Sequence, residues 1–361
     1  MRIACIISKV RVSGGAERVM CELCNALAER GHEIHLITQE EQKGSTYYLS
    51  KEIIMETTSV KTKVRGLRGV LRNRKLHKIL KEGNFDVAVS FITEMNVLSI
   101  IASKNTGVPI VVSERVDPNV YNGTFIGILR SIIYPHADGF VFQTDEAKHC
   151  FSKKIQNAAA VIPNPLVDMT EQKTNYSTSN KIVAVGRLSK QKNYPFMLRA
   201  FSEFIKSYPN YSLEIFGTGD LKTELEQLSI DLKCNDSVKF MGIKNDVHKY
   251  MKDADIYLMT SDYEGISNAL AEAMAIGLPV VSTNCRGGGA SFLVKTEENG
   301  YLVDCGDLDK FISKMEMLAS NEDLRRKIGT NATQIKDMLR KDVIFDQWEK
   351  YLTIVAYANK K

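Results

Sequence analysis

No apolar stretch in this 361-residue chain approaches the ~20 residues needed to cross a bilayer, so any membrane contact is expected to be peripheral. The N-terminus, MRIACIISKV, runs directly into strand-like sequence with no apolar run followed by a cleavage site, which reads as no signal peptide. Charge of one sign is also lacking. With 48 Lys+Arg against 43 Asp+Glu the net charge is only +5, which excludes a nucleic-acid-binding polycation. The seven cysteines are odd in number and irregularly spaced, as expected of reduced thiols in a cytosolic protein. Cys21 and Cys24 form a CxxC, but no second CxxC completes a zinc site, and the pair falls in a predicted helix where core packing is expected. The six histidines show no H-E-x-x-H or paired spacing; His136 reads as packed or on the surface. Low-complexity tracts and G-x-G-x-x-G are missing as well. What remains, 44% hydrophobic and 25% charged residues, is ordinary globular composition, and the length suggests two domains.

Strand, loop and helix alternate. Apolar runs at 2–8, 33–38, 86–91, 109–113 and 139–143 read as buried strands, with helices such as Ala16–Arg30 and Glu94–Lys104 between them. Such alternation predicts parallel sheets covered on both faces. The rhythm breaks at 166–180, where VDMTEQKTNYSTSN is polar and aperiodic and reads as a linker. It restarts with runs at 181–186, 211–217, 237–242, 255–260 and 278–283. The expected architecture is α/β: two doubly wound, Rossmann-like parallel-sheet domains, 1–165 and 181–342, with a cleft between them. The stretch 321–359 reads as helical. Ligands in such sheets sit at the carboxyl ends of strands, so the loops there are the places to search.

Three loops stand out. After the first strand, SGGAERVM places Gly14 and Gly15 before a helix, where backbone can approach an anion; a simple tight turn reads equally well. After the first strand of the second half, GRLSKQKN supplies Arg187 and Lys192, two cations suited to a diphosphate or to a solvated basic loop. The richest stretch is SDYEGISNALAEAMAIGLPVV (261–281). Glu264 and Gly265 lie in a loop, and a helix begins near Ser267, pointing the amides of Ile266, Ser267 and Asn268 at an anion. Glu272 lies on that small, apolar helix, where a carboxylate is costly unless paired: it can receive a ribose diol or serve as a structural ion pair. Asp253-Ala-Asp255 and Asp307-Leu-Asp309 superficially match a manganese-binding D-x-D, but the first joins a helix to a strand and Asp307 reads as a helix N-cap, so no metal site is expected.

In order and spacing, SGGAER, GRLSKQKN, FGTGDLKTELEQL, EGISNALAE and GLPVVSTNCRGGGA resemble the retaining glycosyltransferases of family 4, whose glutamates follow E-x7-E. The resemblance spans almost the whole chain and implies a GT-B fold with a C-terminal helix, about 343–360, crossing back to the N-terminal domain. It also implies transfer of a hexosyl or N-acetylhexosaminyl group from a nucleotide sugar, UDP-linked, to a hydroxyl of a lipid-linked glycan in capsule, exopolysaccharide or glycan assembly, with no cofactor and no metal. Arg187 and Lys192 then bind the diphosphate, Glu264 meets the donor sugar and Glu272 holds the ribose. Gly265, Ile266, Ser267 and Asn268 line phosphate or sugar, and Gly14 and Gly15 face diphosphate and acceptor. This chain departs from the family after 109–113: many members carry a histidine there, whereas here Ser113, Glu114, Arg115, Val116 and Asp117 stand, which removes a proposed sugar or acceptor contact and puts Arg115 or Asp117 in its neighbourhood, Arg115 being taken into the substrate-binding set. A UDP-sugar epimerase of the same fold and a non-catalytic nucleotide-sugar-binding subunit are the rival readings.

Residues 61–81, KTKVRGLRGVLRNRKLHKILK, hold nine Lys or Arg and no acid, more positive charge than the chain's net +5. Val64, Leu67, Val70, Leu71, Leu76, Ile79 and Leu80 interleave at partly helical spacing. A basic amphipathic helix suits an anionic membrane surface and would place the protein at the inner face of the cell membrane; a solvated basic face packed on its own domain is the alternative. The segment has no aromatic residue for stacking on bases, so no nucleic-acid partner is expected.

Overall fold

The computed structural model describes residues 1–10, 14–41, 47–62 and 65–358. They form two compact units: unit 1, Met1–Pro165 with Lys341–Lys361, and unit 2, Leu166–Arg340.

Unit 1 runs β1 (Arg2–Ile7), α1 (Gly15–Glu29), β2 (Glu33–Thr38), β3 (Ile54–Thr57), α2 (Arg65–Glu82), β4 (Val87–Phe91), α3 (Thr93–Ser103), β5 (Ile110–Ser113), α4 (Phe125–Ile133), β6 (Gly139–Phe142), α5 (Asp145–His149), α6 (Lys153–Asn157) and β7 (Ala159–Val161). Its strands pair in parallel in the order β3-β2-β1-β4-β5-β6-β7. Alternation along β1 explains the two covering layers. Ile3, Cys5 and Ile7 join a core with Val19, Leu23 and Leu27 of α1, whereas Ala4 and Ile6 join Leu76, Leu80, Met95 and Ile100 of α2 and α3 on the other face. Cys21 and Cys24 are buried in α1 as free thiols; burial pushes the Cys21 thiol up to about 12, so it stays protonated.

Unit 2 runs β8 (Lys181–Val185), α7 (Tyr194–Ser207), β9 (Ser212–Phe216), α8 (Lys222–Asp231), β10 (Val238–Gly242), α9 (Val247–Met251), β11 (Ile256–Met259), α10 (Asn268–Ile276), β12 (Val280–Thr283), α11 (Gly289–Leu293), β13 (Tyr301–Val303), α12 (Leu308–Ser320), α13 (Glu322–Ala332) and α14 (Ile335–Met338). The parallel order is β10-β9-β8-β11-β12-β13. Ile182 and Ala184 face α7 and α12; Val183 faces α10 and α14. The chain ends in α15 (Lys341–Ala358), which belongs to unit 1 and buries Phe345, Trp348 and Leu352 in its core. The order of each sheet reverses direction at its first strand, β1 or β8, where loops after neighbouring strands diverge and leave room for a ligand.

The expected linker, 166–180, has no helix or strand, yet it is strapped to unit 2. Lys173 N donates to Ile276 O (2.8 Å) and its Nζ to Ala254 O (2.6 Å); Tyr176 Oη donates to Gly277 O (2.9 Å). The buried Arg325 guanidinium donates to Tyr176 O (2.9 Å). Its polarity therefore serves hydrogen bonds rather than solvation. The carboxylate of Asp255, a member of the first D-x-D, is buried and accepts from Ser179 and Asn180 at 2.9–3.0 Å, anchoring this strap. Asp307 caps α12, accepting from Lys310 N at 3.1 Å.

Candidate functional site

The loop after β8 is shaped by close backbone approach. A Cβ on Gly217, whose φ is +137°, would lie 2.0 Å from Gly186 O, so glycine is required where the loops after β8 and β9 meet. Residues Lys190–Lys192 form a single tight turn, and Asn193, at φ +45°, caps α7 by accepting from Phe196 N (3.3 Å). This turn is laced to the loop after β11. Asp262 N donates to Gln191 O (2.9 Å), Gln191 Nε2 to Tyr263 O (2.9 Å), Asn193 Nδ2 to Asp262 Oδ1 (2.8 Å) and Thr260 Oγ1 to Lys192 O (2.9 Å). Because β8 and β11 are paired neighbours, the lacing brings their end-loops together and sets Lys192 Nζ 2.5 Å from Glu264 Oε1. Ser261 Oγ donates to the same oxygen at 3.1 Å. Both charged side chains are mostly buried, where the ion pair is screened little.

The second glutamate is placed by α10. Ser267 is the N-cap: its Oγ accepts from Leu270 N (3.4 Å) and its carbonyl from Ala271 N (3.1 Å). Gly277, at φ +94°, closes the other end. The helix buries Leu270, Ala271, Ala273, Met274 and Ala275. Glu272 is buried with them, so its charge needs a partner. His248 of α9 provides one, with Nε2 3.0 Å from Glu272 Oε2. Close approach recurs opposite the helix start: a Cβ on Gly289 would fall 1.7 Å from Gly265 O, and Gly287 and Gly288 adopt φ of +95° and +73°. The segment 287–289 thus lies against the Gly265–Ile266 backbone, and Glu264 N donates to Arg286 O (2.9 Å).

Of the residues singled out from sequence, Arg187, Lys192, Glu264, Gly265, Ile266, Ser267, Asn268 and Glu272 all fall in unit 2, on the end-loops of β8 and β11 or on α10. Gly14, Gly15 and Arg115 belong to unit 1. Gly14 is the N-cap of α1, and Tyr47 Oη donates to its carbonyl (3.2 Å); Ser13 lies outside the described residues. Arg115 is engaged locally. Its guanidinium stacks 4.3 Å from the Phe91 ring centroid and donates to Asn164 Oδ1 (2.8 Å). Burial lowers it to about 9, so it remains a cation at neutral pH. Sequence reasoning missed His248, Ser261 and Gln191. Ser261 stands three residues before Glu264 and was within reach of a spacing argument; the other two meet their partners only through the fold.

The arrangement can stabilise an anion. The mostly buried Lys192 ammonium stands at the strand-end reversal, Arg187 lies exposed on the same loop, and the loop of Glu264 leads into the N-terminus of α10, the positive end of its dipole. Two Rossmann-like units with such a site define a class of group-transfer enzymes. Residues 13–168 match the family model described as Glycosyltransferase Family 4, and residues 168–335 match that of Glycosyl transferases group 1. The chain belongs to this glycosyltransferase family and has the GT-B fold. It is similar to an uncharacterized glycosyltransferase of Haemophilus influenzae, 26% identical, with 97% of this chain and 99% of that one covered. It is equally similar to the Campylobacter jejuni GalNAc-alpha-(1->4)-GalNAc-alpha-(1->3)-diNAcBac-PP-undecaprenol alpha-1,4-N-acetyl-D-galactosaminyltransferase, 26% identical over 99% of this chain and 100% of that one. Among solved structures, Anabaena HepE in complex with UDP superposes with a TM-score of 0.78 at 18% identity, covering 98% of this chain and 100% of that one.

Proposed function

We propose that this glycosyltransferase moves a hexosyl or N-acetylhexosaminyl group from a UDP-sugar to a hydroxyl of a lipid-linked glycan, with retention at the anomeric carbon. The observation that carries the reading is the Lys192–Glu264 pair, held at 2.5 Å where the end-loops of β8 and β11 are laced together. The lipid-linked acceptor is supported by the name of the Campylobacter relative, and the UDP donor by the UDP held in the Anabaena neighbour.

As the anomeric C–O bond breaks, charge grows on the departing diphosphate. Lys192, Arg187 and the positive end of α10 supply preorganised positive potential at that place, the logic of an oxyanion hole. An arriving diphosphate competes with Glu264 for the Lys192 ammonium. Once Lys192 turns to phosphate, the Glu264 carboxylate, still accepting from Ser261, serves hydroxyls of the sugar. Glu272, oriented by His248, receives the ribose diol. The acceptor oxygen bonds to the anomeric carbon on the face the diphosphate leaves, and its proton passes to the leaving phosphate oxygen. The protein cations make a divalent ion unnecessary, so transfer continues in excess EDTA. Gly14 and Gly15 of unit 1 serve diphosphate and acceptor, and Arg115 serves substrate through the loop it braces.

The basic helix α2 brings the enzyme to the anionic inner face of the cell membrane, where a lipid-linked acceptor is presented. Among the described residues no helix is long and apolar enough to cross a membrane. Leu76 and Leu80 pack into unit 1, while Leu67, Val70, Arg68, Arg74, Lys75, Lys78 and Lys81 are exposed; Lys63 and Val64 lie outside the described residues. The test is a panel of nucleotide sugars screened for slow hydrolysis, which needs no acceptor. UDP release from one UDP-sugar, unaffected by EDTA and reduced in Lys192→Ala, is expected. Turnover of no nucleotide sugar, or loss of activity in EDTA restored by manganese, contradicts the reading.

A further inference from the structure

Helix α4 is built inside out. Its one charged side chain, Arg130, is buried: Nη1 donates to Pro118 O (2.9 Å), and the guanidinium stacks 5.1 Å from the Phe151 ring centroid. Its water-facing stripe is apolar instead. Phe125, Ile128 and Ile132, spaced i, i+3 and i+7 along one face, are 77%, 55% and 59% exposed. Single exposed apolar residues are ordinary, but a stripe of three on one helix calls for a partner. The stripe continues. Helix α3 packs against both α4 and α2 and exposes Ile101, which with Ile133 of α4 lines a largely apolar groove of about 660 Å³ that exposed Lys104, His136 and Asp138 also border. Helix α2 exposes Leu67 and Val70 among Arg68, Arg74, Lys75, Lys78 and Lys81.

We propose that α4 lies flat in the interfacial layer of an anionic phospholipid bilayer, bedding Phe125, Ile128 and Ile132 in the acyl boundary while the cations of α2 meet the headgroups. Charge complementarity commits the face to lipid. An apolar stripe alone fits any greasy partner, but apolar helix and cationic helix braced by a shared neighbour fit a surface that is apolar below and anionic above. The stripe runs over eight residues, seven steps of 1.5 Å or roughly 10 Å, a length that suits lying on a bilayer and not crossing it. The docking is also tied to the loop after β5. Tyr134, at the end of α4, donates to the buried Glu114 carboxylate, and Arg130 holds Pro118, so the bedded helix fixes the height of residues 114–121 above the membrane. This rests on the reading that the acceptor is lipid-linked.

The chain's single tryptophan, Trp348, is wholly buried in the unit 1 core, so Phe125→Trp reports α4 alone against a fixed background. The full chain carrying it is mixed with vesicles of phosphatidylcholine, with and without phosphatidylglycerol, some containing brominated acyl chains. With the anionic vesicles its emission is expected to shift to the blue and to be quenched by bromine. The pair Ile128→Ser and Ile132→Ser is expected to lower vesicle partitioning about tenfold or more, with UDP affinity unchanged because neither exposed side chain belongs to the proposed donor site. If the chain sediments with anionic vesicles but the Phe125→Trp spectrum does not move, α4 is not the contact, although membrane association through α2 survives. If the chain sediments with neither vesicle, the membrane reading falls with it. If the serine pair instead breaks a dimer of the parent chain, the stripe is a contact between copies and the proposal is wrong.

Discussion

Each unit gathers buried polar side chains at the carboxyl end of its inner strands, and the two clusters do opposite things. In unit 1 the Glu114 carboxylate is closed in by its own fold: Tyr134 Oη and Thr93 Oγ1 (2.7 Å) donate to its two oxygens, and Asn96 Nδ2 braces Ser113 O (2.9 Å) and Tyr134 Oη (3.0 Å). Beside it Ile92, a β-branched residue, is held at φ +77°, a conformation costing on the order of 1–3 kcal/mol that only an over-determined neighbourhood sustains. In unit 2 Glu264 has one oxygen bound by a lysine and a serine, and that lysine sits on a tight turn at the strand end. A buried carboxyl satisfied by neutral donors reads as a fastener; on the proposed reading, the buried lysine can exchange its carboxylate partner for phosphate. Partners, more than burial, separate structure from chemistry here.

The comparison breaks first at Lys192. Lys192→Ala is expected to lower turnover by about 10²-fold or more, as loss of one charge-stabilising donor does, with the fold intact by circular dichroism. An equal loss on Glu114→Gln would erase the distinction. Glu114→Ala should instead destabilise unit 1 by about 2–4 kcal/mol in urea unfolding, since it leaves Tyr134 and Thr93 hydroxyls buried without their acceptor. The sign of the pH dependence sharpens this. Burial raises the Glu114 carboxyl above its ordinary value, so the folded chain holds the proton more tightly than the unfolded one. Its contribution is therefore greatest at or below the ordinary carboxylate range and declines as pH climbs through the raised folded value. Unfolding midpoints measured at about pH 5 and about pH 8 should show that slope in the parent and a flatter one in Glu114→Gln.

Smaller effects separate the two glutamates of unit 2. Glu272→Gln is expected to weaken UDP binding about tenfold, the scale of one charged hydrogen-bond acceptor, whereas Glu264→Gln leaves UDP affinity nearly unchanged and lowers transfer. Calorimetry with UDP reads both, and the reverse pattern would overturn the assignment. His248→Ala, which removes a partner of Glu272 and leaves the carboxylate itself, should cost a few-fold in UDP affinity. An effect larger than that of Glu272→Gln would mean that His248 itself holds the nucleotide.

The inner strands were legible because strands covered on both faces are apolar without interruption. The three that were missed, Ile54–Thr57, Ala159–Val161 and Tyr301–Val303, are all sheet edges of three or four residues. The first two are nowhere fully buried, so neither carries a continuous apolar run. The strand-end loops proposed to hold the donor stand out in the sequence by their glycines and charges, and the fold sets Lys192 against Glu264 there. His248 was not, because its partner lies 24 residues on and only the packing of α9 on α10 joins them. The strap 166–180 looked like a linker because polarity alone does not reveal whether hydrogen bonds go to water or to Ile276, Ala254 and Gly277. The stripe of α4 escaped notice for a similar reason: periodicity marks an apolar face but not which way it points.

The central claim is that Lys192 exists to hold the donor diphosphate. Calorimetry of uridine and UDP against the parent and Lys192→Ala tests it most directly. The account predicts that the parent prefers UDP to uridine by about 10²-fold, as befits charge-assisted hydrogen bonds to phosphate, and that Lys192→Ala loses most of that preference while uridine binds as before. An undiminished preference for UDP in Lys192→Ala would contradict it.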